Sequence, residues 1–191
     1  CMGRVSGIEH ADRLIVDHSV DELVRLPANE SERFGIAFET EKIAKLDILS
    51  DILYRHPEVQ VFLEIKTASL IRFDCHMLID ALEPYRQQLQ RQLIIISSDY
   101  SLIALAAQAN WQCTGVVLND WRDLQGQQIK GILPEYIFID KTALPESSAL
   151  GNIASRTVVY EVGSIDEASA LIAAGADLVE TFDIGKLLLA S

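Results

Sequence analysis

Six short apolar runs, each closed by polar or charged residues and separated from the next by a helical pattern, constrain this chain more than any other feature. The clearest is Leu93-Ile94-Ile95-Ile96-Ser97-Ser98. Four large aliphatic side chains in a row leave no polar face, so a strand made from them must be covered on both sides. Comparable runs stand at 59–66, 114–118, 136–139, 157–162 and around Leu178-Val179. Between them the spacing predicts a helical tract from about Ser69 to Gln90, broken or bent near Pro84, where the ring would meet the preceding turn. Further helices are expected over 100–109 behind Asp99 as N-cap, briefly up to about Gln128, weakly near 146–154, and over 165–174 behind Ser164 with Gly175 as C-cap. A helical turn at 184–190 closes the chain. Doubly covered strands alternating with helices predict a parallel sheet. Short, regular connections point to a (β/α)8 TIM-type barrel, a fold of roughly 250 residues. A chain of 191 residues is expected to carry about six βα units as one domain, residues 1–191, without the first units of the barrel. An open doubly wound sheet is the alternative.

Ahead of the first strand the pattern is less regular. Residues 1–19 read as loop. Ser19 and Glu22 have the spacing of a capping box and open a short helix that Pro27 ends. Residues 27–40 read as polar loop, and Ile43, Leu46, Leu49, Ile52 and Leu53 have helical spacing within 41–55.

Composition narrows the function classes. The formal net charge is −12, and no Lys/Arg cluster accompanies aromatic residues, so nucleic acid is not an expected partner. No run approaches the roughly 20 apolar residues of a membrane span, and no signal peptide is visible. The three cysteines are odd in number and widely spaced, which suggests reduced thiols and a cytoplasmic setting. Neither a Walker loop nor a dinucleotide loop is present, which argues against nucleotide cofactors.

Strand ends carry the chemistry in parallel α/β folds. Here they are Glu64 and Lys66, Ser97 and Ser98, Asn119 and Asp120, Asp140 and Lys141, Tyr160 and Glu161, and Glu180 and Thr181. Glu64 and Lys66 lie two apart on one strand, so they share a face with Phe62. Such charges need a partner or a ligand, because desolvating a lone charge costs several kcal/mol. They form either a structural ion pair or a ligand pair at an active-site mouth. Carboxylates take Mg²⁺ or Ca²⁺ and lysine meets phosphate, so the mixture suits a hard cation with an anionic substrate. His56 and His76 read as surface or packing residues, and His10 and His18 fall in the opening loop. Cys75 and Cys113 read as core fillers.

Several of these stretches, in order along the chain, resemble the glycerophosphodiester phosphodiesterase family of phospholipase-C-like barrels. Phe62-Leu63-Glu64-Ile65-Lys66 is similar to its N-I-E-L/I-K strand. Val16 to Leu23 resembles V-x-D-L-T-L-x-E-L, and Ile43-Ala44-Lys45-Leu46 with Ile48 and Leu49 resembles I-P-T-L-E-E-V-L. Ile95-Ile96-Ser97-Ser98 matches I-I-S-S-F, with Asp99 in place of the phenylalanine. Val159-Tyr160-Glu161-Val162 stands for V-W-T-V-N, and Gly175 to Thr181 for G-V-D-G-I-I-T-D. The resemblance implies a hydrolase of lipid and glycerol metabolism that uses a divalent cation, Mg²⁺ or Ca²⁺, to cleave a small phosphodiester to glycerol 3-phosphate and an alcohol. It implies that Glu64 ligates the cation, Lys66 faces the phosphate and Tyr160 lines the glycerol side.

The departures from the family matter equally. Its H-R-G, P-E-N-T, E-x-D and H-D motifs would precede Cys1, and they hold the catalytic histidines and most metal ligands. Tyr160, Glu161 and Glu180 replace a tryptophan, a threonine and an isoleucine. The chain as given is therefore expected to contain no catalytic residue of its own and to be inactive, and the cation is not expected to be held firmly. A non-catalytic barrel used for binding or assembly, and another α/β enzyme with a phosphate-bearing substrate, remain open. An incomplete barrel also exposes strand edges, so self-association, or covering by the opening loop, is expected.

Overall fold

The computed structural model describes residues 14–30, 34–144 and 150–190. The chain divides into two compact units, Cys1–Val59 and Gln60–Ser191.

In the first unit the expected capping box forms. The Ser19 backbone N–H and hydroxyl both reach Glu22 Oε2 at 2.8 Å, and the Glu22 N–H donates to Ser19 Oγ at 3.3 Å. It opens the one-turn helix α1, Val20–Leu23. The helix expected from residue 41 begins only at Leu46, as α2, Leu46–Arg55. The residues before it are committed elsewhere: Pro27 and Lys42 form an antiparallel bridge, with Ala28 N–H on Glu41 O and Ile43 N–H on Leu26 O.

The second unit is built on six strands: β1 Val61–Glu64, β2 Leu93–Ser97, β3 Thr114–Val117, β4 Tyr136–Asp140, β5 Arg156–Val162 and β6 Leu178–Thr181. They form one sheet in sequential order, every neighbouring pair parallel. A doubly wound sheet reverses its strand order at a switch point. No reversal occurs here, which sets that alternative aside.

The sheet is curled. Phe62 on β1 packs edge-to-face on Tyr136 and Phe138 of β4, with ring centroids 4.9 and 5.0 Å apart. Two strands lie between β1 and β4, so a flat sheet would hold them about 14 Å apart. Residues of alternate parity meet inside the curl: Ile94, Ile96, Tyr136, Phe138 and Val158, with Phe62, Tyr160 and Leu178 against them. The opposite parity, including Leu93, Ile95, Val116, Ile137 and Val159, is fully buried on the helix side. Gly115 faces the interior because nothing larger fits: a Cβ there would lie 2.9 Å from Ile96 Cγ2 and 3.1 Å from Tyr136 Cβ. The result is an α/β fold consistent with an incomplete TIM barrel.

The helices follow their caps. The tract expected over 69–90 divides, but not at Pro84. A 3-10 turn, Thr67–Ile71, is followed by α3, Cys75–Leu89, which Asp74 opens by accepting from His76 N–H at 2.8 Å. The helix runs through Pro84 unbroken. Pro84 and Asp80, the residue whose carbonyl loses its donor, are both exposed, so water can serve that carbonyl. Asp99 caps α4, Tyr100–Gln108, and α5 covers Gln127–Ile132. Ser164 caps α6, Ile165–Ala173, and α7 is Ile184–Ala190. Of the weak helix expected near 146–154, Leu150–Asn152 is a 3-10 turn and 146–149 lie outside the described residues. Gly175 ends α6 at φ +102°, with its Cα face against Gly151.

Candidate functional site

β1 delivers Glu64 at its C-terminal end, two residues beyond the interior-facing Phe62. Lys66 follows at the start of the 3-10 turn and donates to Glu64 Oε2 at 2.5 Å. The pair expected from the sequence therefore forms, in its ion-paired state. It is a mouth pair and not a core pair: the Lys66 side chain is 71% exposed and that of Glu64 30%.

At the other end of the sheet, Leu178 packs on the interior cluster, so Glu180, two residues on along β6, takes the same side. Glu64 and Glu180 line one cavity of about 520 Å³ whose remaining wall is largely apolar, including Phe62, Phe138 and Leu178. Ile96 and Val158 also contribute, so the cavity opens from the interior of the curl between the two terminal strands.

Tyr160 brings β5 to the same region. It packs on the interior cluster, and its hydroxyl pKa is raised by burial first, then by the negative charges of Asp140, Glu64, Glu180 and Glu161. The carboxylates that act electrostatically on this phenol come from β1, β4, β5 and β6. The Glu180 carboxyl is raised too, by burial and then by Glu64 and Glu161, with Lys66 opposing. At Tyr160 and Glu161, β5 carries a bulge. Val159 pairs with Val179 and Val162 with Thr181, three residues against two, and Glu161 takes φ +66°. The extra residue returns Val162 to the helix side, where it is fully buried.

Several of the other strand-end residues serve the fold. Ser97 Oγ donates to Ile65 O at 2.7 Å and accepts from Asp99 N–H at 3.0 Å. Asp120 accepts from the Arg122 N–H and its guanidinium, which hold its carboxyl down to about 2. Asp140 accepts from Thr142, and Lys141 pairs with Glu167 at 2.8 Å. His56 and His76 are exposed beside Glu58 and Asp74, as expected of surface residues, and His10 lies outside the described residues. His18 belongs to the first unit. Cys113 is a buried free thiol, pushed up to about 11 chiefly by burial. Glu180, Phe62 and Phe138 were not singled out as site residues by the sequence. Only the strand-end position of Glu180 and its parity with Leu178 hinted at it.

A divalent cation needs more oxygen donors than one strand end supplies. Among the described residues no group of three His, Cys, Asp or Glu side chains is placed to hold a metal ion. Glu64 is ion-paired with Lys66 and Glu180 lines the same cavity, so the donor set described here does not fit a closed cation site. Nor is any helix among the described residues long and apolar enough to cross a membrane.

No family model matches the sequence, and no curated protein is significantly similar to it. Solved structures do match. One is an Oleispira antarctica phosphodiesterase in complex with the product sn-glycerol-3-phosphate, with a TM-score of 0.71 at 15% identity over 93% of this chain and 72% of that one. A glycerophosphodiester phosphodiesterase of Parabacteroides distasonis matches with TM-score 0.68 at 13% identity, over 90% of this chain and 70% of its own. A Silicibacter pomeroyi protein assigned as a glycerophosphoryl diester phosphodiesterase gives TM-score 0.67 at 13% identity. This chain spans 66% of that protein's length. At such identities the likeness is one of fold.

Proposed function

We propose that this chain carries the phosphodiester-binding mouth of a glycerophosphodiester phosphodiesterase barrel, six strands of an eight-unit fold. The activity assigned to such a barrel is cleavage of a glycerophosphodiester to glycerol 3-phosphate and an alcohol. One observation carries the reading: Glu64, Lys66 and Tyr160, the residues that the family resemblance marks, converge at one end of a curled parallel sheet whose fold is that of solved phosphodiesterases.

In this reading the Lys66 ammonium binds the phosphate as a mobile point charge, which its exposure allows. Glu64 holds the lysine in place until the ligand arrives. Tyr160 lines the glycerol side, its hydroxyl pKa raised by burial and then by the surrounding carboxylates. No step runs through a divalent cation, since the described donor set does not fit one. In this proposal the chain binds the diester without turning it over. The open side of the curl also makes self-association part of the proposal.

Calorimetric titration of glycerophosphocholine in the presence of EDTA tests the reading. Saturable binding is expected, with no release of glycerol 3-phosphate. A folded chain that takes up no diester would end it. Turnover abolished by EDTA and by Glu64→Gln would restore the metal-dependent mechanism in its place.

A further inference from the structure

Charge runs out on one outer face of the second unit. Residues 100–119, which include α4, contain no Asp, Glu, Lys, Arg or His, on a chain of net charge −12. Between 124 and 134, which include α5, Lys130 is the single charged residue. The helices α3 and α6 differ: one carries Asp80 and Glu83, the other Asp166 and Glu167. α4 and α5 pack side by side, the first lying between β2 and β3 in the chain and the second between β3 and β4. They cover the middle of the sheet, so their exposure owes nothing to the two terminal strands.

A groove of about 490 Å³ runs between these two helices. Small residues line it, Ala104 and Ala107 from α4 and Gly131 from α5, together with the neutral amides of Gln108, Gln127 and Gln128. Leu133, two residues beyond Gly131, is 81% exposed and forms a knob beside the groove. A second copy of this chain is the occupant these features fit. In a two-fold contact, a group near the axis meets its own counterpart. A charge there repels itself, whereas an amide, both donor and acceptor, can pair with itself. The net charge of −12 otherwise drives copies apart. A knob and a hollow on the same face satisfy a two-fold contact, because each copy supplies both. We propose that the α4–α5 face is a two-fold self-association surface, in which Leu133 of each copy enters the groove of the other among the glutamine amides. The helices are only about 14 and about 9 Å long, so the patch falls below the roughly 800 Å² per partner of a stable interface, and the dimer is weak. This surface is separate from the open side of the curl and does not depend on the phosphodiester reading.

Sedimentation velocity of the full chain over about 5–500 µM tests this. A dimer that grows over that range is expected, and added salt should strengthen it by screening the repulsion between two acidic copies. Ala107→Glu puts a carboxylate into the groove from an exposed helical position, and should weaken the dimer at least about tenfold with the circular dichroism spectrum unchanged. Leu133→Gly removes the knob at a left-handed position, φ +52°, which glycine adopts readily. It should weaken the dimer at least about tenfold without lowering the urea midpoint, which separates a lost contact from a damaged fold. A chain that stays monomeric throughout overturns the proposal. So does a dimer that keeps its affinity in either variant, and one that survives both lies on another surface, such as the open curl. A monomeric chain that cosediments with phosphatidylcholine vesicles, and ceases to as Ala107→Glu, would give the face to a lipid surface and overturn the dimer.

Discussion

Phe62 is the side chain by which β1 closes over β4, and its truncation measures whether the sheet is curled in solution. A fully buried phenylalanine costs about 3–5 kcal/mol on truncation to alanine. Phe62 is only partly buried, so the loss of apolar burial should be nearer 2 kcal/mol. Its two edge-to-face contacts, at 4.9 and 5.0 Å, add about 0.5–1.5 kcal/mol each. Phe62→Ala should therefore destabilise the second unit by about 3–5 kcal/mol in urea unfolding followed by circular dichroism. The sharper quantity is the coupling to Phe138, because β1 and β4 are not neighbours in the sheet. A cycle of Phe62→Ala, Phe138→Leu and the double variant should give a coupling of about 1 kcal/mol. If the two changes add within about 0.5 kcal/mol, the rings do not touch and the curl is wrong.

Three further outcomes follow from single observations. Gly175→Ala places a Cβ 2.5 Å from Gly151 N at φ +102°, against the Leu150–Gly151 backbone, and should cost at least about 2 kcal/mol in the same unfolding experiment. Bonds from Arg86, and then Gln87, hold the Glu83 carboxyl down to about 2. Its contribution to stability is present above the ordinary value of 4.5 and is lost as pH falls through about 2, so the small gap between the chain and Glu83→Gln should close over that window. Lys66→Ala should change thermal stability by less than about 1 kcal/mol, because its partner is an exposed-mouth carboxylate. A larger loss would mean that the pair with Glu64 is structural after all.

Much of the fold was legible because its signals are local. The Ile94–Ile96 run, the Ser19, Asp99 and Ser164 caps and the Gly175 stop each name their own structure, and each formed. The misses are non-local. Nothing near Lys42 announces that its backbone bridges to Pro27, and so α2 starts later than its apolar spacing suggests. Pro84 breaks no helix because its face meets water, and exposure is not written in the neighbouring residues. Within the site, Glu64 and Lys66 were readable because they lie two residues apart in sequence, Glu64 ending β1 and Lys66 just beyond it. Glu180 was only one strand-end acid among several. It becomes distinct once the curl brings the interior parities of β1 and β6 to one cavity. The bulge at Glu161 was invisible for the same reason, since it exists only against the register of β6.

The central claim is that Lys66, just beyond β1, is a phosphate contact. Isothermal titration of glycerophosphocholine against the chain and Lys66→Ala, with circular dichroism confirming that both are folded, tests it directly. Loss of a charged contact is worth about 1.5–3 kcal/mol, so the account predicts at least about tenfold weaker binding by the variant. Equal affinity in the two folded proteins would contradict it.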